Sequence, residues 1–193
     1  MPRLRSSALI LALAACCALS GAARADGQRE PELKSLLQRL IGTSGCFADQ
    51  FDSEVWYKTM EPRLARLVPS HDARVEILDQ VYCEAGRDPD LKIPPDLVLA
   101  LIEVESRFDR WAVSRAGAVG LMQVMPFWPR KLGVENQLVR VAPNIRIGCE
   151  ILRFYLRAEN RNWARALARY NGSAGRGAYP ALVMQRWQRA WKF

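Results

Sequence analysis

The stretch from Pro94 to Phe108 constrains the fold more than any other part of the chain. Pro94 and Pro95 open it, and proline is tolerated in the first turn of a helix but not further in. Behind them Leu97, Val98, Leu101, Ile102, Val104 and Phe108 recur at helical spacing. At about 100° per residue, with Leu97 at zero, they form an apolar arc centred near about 60°. A helix over 95–108 must therefore be covered by other elements. Glu103 falls at about 240° on this wheel, where a solvated acid belongs, with Arg107 beside it. Glu105 falls at about 80°, in the middle of the apolar arc. A carboxylate on a buried face is costly unless paired or protonated, and desolvation raises its pKa. Two readings follow: a structural acid tied to an arginine or to backbone N–H groups, or a general acid that keeps its proton near neutral pH.

The rest of the chain supplies the cover as further helices joined by short Pro/Gly loops. Helices are expected at 33–41, 52–67 (interrupted at Pro62), 71–85 (capped by Gly86), 119–131 (bent at Pro126 and Pro129), 143–158, 162–170 and 180–191. No stretch alternates apolar and polar residues long enough to form a confident strand. The expected class is all-α, and the 193 residues are enough for one ordinary domain with a core.

The first 25 residues read as an export signal. Arg3 and Arg5 form a positive start, Ala8 to Leu19 an apolar run too short to span a bilayer comfortably, and Ala23-Arg24-Ala25 a cleavage site. Leu13-Ala14-Ala15-Cys16 offers the alternative of a lipid anchor at Cys16. Export to the periplasm allows disulfides, and beyond the signal three cysteines remain, Cys46, Cys83 and Cys149, so one bridge at most forms within the chain. A Cys46–Cys83 bridge is expected. Cys46 follows the adaptable turn Gly42-Thr43-Ser44-Gly45, Cys83 lies on a helix without a chemical motif, and Cys149 reads as a buried free thiol. The pairings 46–149 and 83–149 stay open on sequence alone. The formal charge of +8 favours anionic partners, but export disfavours nucleic acid. Metal chemistry is not expected: His71 is the only histidine and reads as a surface residue at a helix start, and the cysteines lack ligand spacing.

Around Glu105 the chain carries Glu105-Ser106, then Ser114-Arg115-Ala116-Gly117-Ala118, Gly120-Leu121-Met122-Gln123, Asn144-Ile145 with Gly148, and Ala168-Arg169-Tyr170-Asn171-Gly172. In this order and spacing the set resembles the catalytic domain of the soluble lytic transglycosylase family, with its goose-lysozyme-like helical fold. The resemblance covers about residues 93–191 and implies a transglycosylase domain at 93–193; with the leader at 1–25, this leaves an N-terminal helical region at 26–92 that matches no motif and is expected to pack on the catalytic domain. It further implies Glu105 as catalytic acid/base, with Ser106, Ser114, Gly120, Met122, Gln123, Tyr170 and Asn171 toward substrate. Ser114 is expected near the Glu105 carboxylate or the substrate N-acetyl group. Met122 and Gln123 are expected to line the sugar cleft, and Tyr170 to hydrogen-bond near Glu105. Gly148 reads as a site of close helix packing.

Most glycosidases use two carboxylates. The resemblance supplies one, and Asp109 reads as a cap or salt-bridge residue. The implied reaction is a lyase cleavage of peptidoglycan that leaves 1,6-anhydro-N-acetylmuramic acid ends, with no cofactor. A hydrolysing lysozyme on the same fold and an inactive wall-binding component are the alternatives. Peptidoglycan is the expected partner, a secretion or assembly apparatus of the envelope a second candidate, and the chain is expected to act as a monomer.

Overall fold

The structure is a computed structural model and describes residues 46–47, 49–173 and 177–193. The expected leader, Cys16, the turn before Cys46 and the helix at 33–41 lie outside these residues. In chain order the described helices are α1 (Gln50–Leu64), α2 (His71–Gly86), α3 (Pro95–Ser106), α4 (Phe127–Lys131), α5 (Val141–Ala158), α6 (Trp163–Tyr170) and α7 (Ala178–Arg186), which runs on into a π-helical turn, Trp187–Trp191. The only β pairing among the described residues is a pair of isolated bridges, Val113 with Val119 and Val119 with Val124. The class is all-α.

Local chemistry sets most helix starts. The Asp49 carboxylate accepts from Asp52 N–H at 2.8 Å, Ser70 Oγ from Ala73 N–H at 3.4 Å, and Asn162 from Arg165 N–H at 3.0 Å, each satisfying an orphan donor of a first turn. Pro95 takes the first-turn position of α3. Two boundaries differ from expectation. α1 runs through Pro62 to Leu64 without a break; the proline supplies no N–H for the carbonyl one turn back, and the helix ends two residues beyond it. Gly86 is the last helical residue of α2 and keeps a negative φ, so it is not a left-handed cap. The carbonyls at that end are met instead by Arg153 of α5, which is fully buried. Its guanidinium donates to Glu84 O, to Ala85 O at 3.1 Å and to Leu91 O at 3.3 Å, and pairs with Glu150 at 2.8 Å. A buried cation held by three carbonyls and a carboxylate joins α2, the loop after it and α5.

α3 is the axis of the fold. Every residue from Asp96 to Ile102 is buried, so the helix has no solvent face along most of its length. α7, the π turn and α2 all pack against it. Asp96 accepts from Leu97 N–H and from Phe193 N–H, both at 3.0 Å. Glu103 is accordingly not the solvated acid expected. It accepts from the indole N–H of Trp191 at 2.6 Å, lies 3.4 Å from Arg186, and its side chain is 14% exposed. The amphipathic wheel failed there because the C-terminal segment closes over the polar side. α1 and α2 share one core with the later helices: Trp56, Met60 and Leu78 are buried together with Leu97, Ile145 and Leu167.

Cys46 and Cys83 form a disulfide with Cα atoms 5.1 Å apart, and Cys149 is a buried free thiol. Burial pushes the Cys149 thiol up to about 12, so it is inert at ordinary pH. Bridging residues 37 apart removes unfolded-chain entropy worth about 4 kcal/mol in the loop-closure model. The double variant Cys46→Ser/Cys83→Ser should therefore melt well below the parent in a thermal scan. In denaturant without reductant, Cys149 should be the one thiol labelled among the three. Gly148 tests the packing independently. A Cβ there would meet Met122 Sδ at 2.4 Å, so Gly148→Ala should destabilise by about 1–3 kcal/mol in urea titration.

Candidate active site

Glu105 is the penultimate residue of α3, and the site begins where that helix is forced to stop. Arg107 and Phe108 both take left-handed backbone conformations, φ 53° and 66°. Neither is glycine, so each costs of order 1 kcal/mol or more. The Arg107 N–H donates to Glu103 O at 3.0 Å, and Phe108 is buried with its ring centroid 5.4 Å from that of Trp191. The chain then turns through Asp109, whose carboxylate accepts from Trp111 N–H at 2.8 Å. Asp109 is thus a turn residue beyond the helix, in neither an N-terminal cap nor a salt bridge.

Residues 112–125 were expected to enter a helix at 119. They form a compact loop instead. Val119 and Val124 exchange both backbone hydrogen bonds at 3.0 Å, Ser114 N–H donates to Ala118 O, and Gly120 N–H donates to Ala112 O. Gly117 and Gly120 sit at φ 85° and 80°, and Gln123 at 48°, which no continuous helix allows. β-branched Val113, Val119 and Val124 suit the paired stretches. The helix begins only at Phe127, past Pro126.

Three helices hold this loop beside Glu105. Asn144 of α5 is buried; its Oδ1 accepts from Met122 N–H at 2.7 Å, and its Nδ2 donates to Val119 O and Leu138 O at 2.9 and 2.8 Å. Ser106 of α3 donates to Leu121 O at 2.8 Å, shared with Ile102 O at 3.2 Å. Tyr170 of α6 donates its hydroxyl to Met122 O at 2.7 Å.

The carboxylate itself is half-buried and accepts a hydrogen bond from the hydroxyl of Tyr179, one residue into α7. Burial pushes the Glu105 carboxyl up to about 7, against the pull of that hydrogen bond. Burial, with the charge of Glu105 adding to it, pushes the hydroxyls of both Tyr170 and Tyr179 well above their usual value. Both tyrosines therefore stay protonated as donors wherever Glu105 titrates. The arrangement is a carboxyl poised to give and take a proton near neutrality, flanked by two neutral phenols.

The sequence-derived residues divide when placed in space. Ser114 and Gln123 are half-buried in the loop. Ser114 Oγ accepts from Ala118 N–H at 3.0 Å, and the Gln123 side chain donates to Gly120 O and Ala112 O at 2.9 and 3.2 Å. Asn171 is exposed at the end of α6, its N–H donating to Leu167 O. Gly120 is buried, and a Cβ there would strike Leu138 O at 2.5 Å and Asn144 at 2.4 Å, so the packing admits no side chain. The Met122 side chain is fully buried against Gly148 and cannot line a sugar cleft; the half-buried Met125 is the methionine nearer the surface. Ser106 spends its hydroxyl proton on the loop. Tyr170 bonds the loop carbonyl rather than Glu105, and Tyr179, which does bond Glu105, was not read from the sequence. Tyr179 lies 74 residues from its partner with no motif around it, whereas Asn144 had a signal in the Asn-Ile pair that precedes Gly148. Among the described residues no group of three or more His, Cys, Asp or Glu side chains could hold a metal ion.

Comparison with known proteins adds the family. A stretch of 34 residues is 59% identical to membrane-bound lytic murein transglycosylase C of Actinobacillus pleuropneumoniae serotype 5b (strain L20), covering 18% of this chain and 9% of that relative. The 70 kDa soluble lytic transglycosylase of Escherichia coli aligns over 67% of this chain and 21% of its own, at 22% identity and a TM-score of 0.47. An inactive mutant of the lytic transglycosylase Slt of Pseudomonas aeruginosa aligns over 73% and 27%, also at 22% identity and 0.47. The chain thus matches under a tenth of the curated relative and about a quarter of each solved chain. The model of the Transglycosylase SLT domain matches residues 86–182, half of the chain, from the end of α2 into α7, with Glu105, the loop beyond it and both tyrosines inside. The chain belongs to the transglycosylase SLT domain family.

Proposed function

We propose that this protein is an exported lytic transglycosylase. It would cleave the β-1,4 bond between N-acetylmuramic acid and N-acetylglucosamine in peptidoglycan, with Glu105 as its single acid/base. The observation that carries this is the half-buried Glu105 carboxyl, raised to about 7, with no charged side chain among the causes of its shift. A two-carboxylate mechanism needs a second acid within several ångströms. Glu103 is bound to Trp191 and Arg186 on another face of α3, and Asp109 is committed to its turn. One acid suits a reaction in which the substrate supplies its own nucleophiles.

In that reaction Glu105 gives its proton to the bridging oxygen as the C1–O bond of the muramoyl unit breaks. The acetamido oxygen of the same sugar bonds to C1. Glu105, now a carboxylate, takes the proton of the C6 hydroxyl, and O6 displaces the acetamido oxygen from C1 to close a 1,6-anhydro ring. The proton taken restores Glu105, and no water is consumed. Ser114, Gln123, Met125 and Asn171 are the side chains proposed to meet the sugars, while Tyr179 holds the carboxylate between its two duties. Ser106, Gly120, Met122 and Tyr170 act through the loop. We place the protein in the periplasm on the strength of its 1–25 leader, with envelope secretion or assembly machinery as the setting it would serve.

Glu105→Gln should abolish release of glycan fragments from purified sacculi, while Glu103→Gln should retain cleavage and lose about 1 kcal/mol of stability through its weakened bonds to Trp191 and Arg186. Mass spectrometry of the digest should find anhydromuramoyl ends, one water lighter than hydrolysis products; reducing muramic ends would make the protein a lysozyme-type hydrolase instead. The first step needs protonated Glu105, so the cleavage rate should fall as pH rises through about 7. Tyr179→Phe removes the bond that favours the carboxylate, so the falling limb should move to higher pH as the maximal rate drops.

A further inference from the structure

A concavity lies away from Glu105, where the end of α1 meets the π turn. It encloses about 490 Å³, and Arg63, Arg66, Arg186, Arg189 and Lys192 converge on it with one acid, Glu103. That acid is already engaged by Trp191 and Arg186. Arg63 spends its Nη1 on Ala190 O and Lys192 O, at 3.3 and 3.2 Å. Arg66 and Arg189 are exposed and, among the described residues, make no hydrogen bond or ion pair. Among the described residues, Arg186 alone of these five cations lies within ion-pair distance of a carboxylate. The sequence sharpens the imbalance, since no Asp or Glu occurs after Glu159 while seven cations do. All five cations of the hollow lie outside residues 86–182, so the feature comes from the segments flanking the family domain.

We propose that this hollow is a docking site for an acidic segment of a partner protein. Guanidinium forks match carboxylates, and a concave wall that also presents Leu67 and Ala190 accepts a peptide with an apolar residue between its acids. A flat bilayer cannot follow that concavity. A glycan at Glu105 does not enter it, because Glu103 and Glu105 point about 160° apart around α3. The inference does not depend on the catalytic reading.

The test uses the full chain and a dye-labelled peptide alternating glutamate and leucine, followed by fluorescence anisotropy. The peptide should bind the parent, weaken as sodium chloride rises from about 50 to about 500 mM, and lose affinity at least about tenfold in Arg66→Glu/Arg189→Glu. The charge-matched control Arg130→Glu/Arg140→Glu, on the exposed surface of other elements, should keep the parent affinity, and a peptide with glutamine for glutamate should not bind. Arg66→Gln/Arg189→Gln gives a milder check should the charge reversal unfold the chain. Equal loss in the control variant, or no binding of the acidic peptide to the parent, overturns the proposal. So does binding to phosphatidylglycerol vesicles that needs Arg66 and Arg189 when the peptide does not bind.

Discussion

The structure depends on the burial of α3 around its whole circumference. A helix with Asp96 through Ile102 sealed from solvent must be enclosed by its neighbours, and the rest of the chain is arranged to do so. α2 lies along one side, α7 and the π turn along another, and α1 backs onto α2 and the π turn. Apolar burial at about 25 cal/mol per Å² drives the assembly. The polar groups that this axis carries are each matched: Asp96 by backbone N–H groups, and Glu103 by Trp191 and Arg186. Glu105 escapes full enclosure because the helix stops one residue later, where Arg107 and Phe108 turn the chain left-handed. Glu105 is therefore enclosed enough for its charge to be costly, yet only half-buried.

A carboxyl in such a place is useful only if its surroundings do not move. The loop that faces it is bonded within itself through Val119 and Val124 and is also held from outside, by Asn144 on α5, Ser106 on α3 and Tyr170 on α6, all converging on residues 119–122. This explains why residues that a motif reading assigns to ligand contact include several with packing or bonding roles. Gly120 leaves room for Asn144, Met122 fills the notch made by Gly148, and Ser106 fastens the loop to α3. Such positioning matters for any acid that must meet its target, because small displacements cost large factors in rate.

The sequence by itself determined the helical class, most helix starts and the anomaly at Glu105. All three follow from interactions that span four residues or fewer: caps, proline at a first turn, and apolar spacing along one helix. It also marked the loop beyond Glu105, through its glycines and the ordered set of motifs, without revealing its shape. Helical periodicity continued across 119–126, yet the positive φ values at Gly120 and Gln123 and the paired valines override it. The tertiary structure alone decided that Glu103 is covered, since the cover comes from Trp191 and Arg186, more than 80 residues away. It alone brought Tyr179 to Glu105 and Arg153 to the end of α2. Those partners share no periodicity with the residues they serve, and a contact set by the packing of separate helices leaves no trace in the local order of side chains.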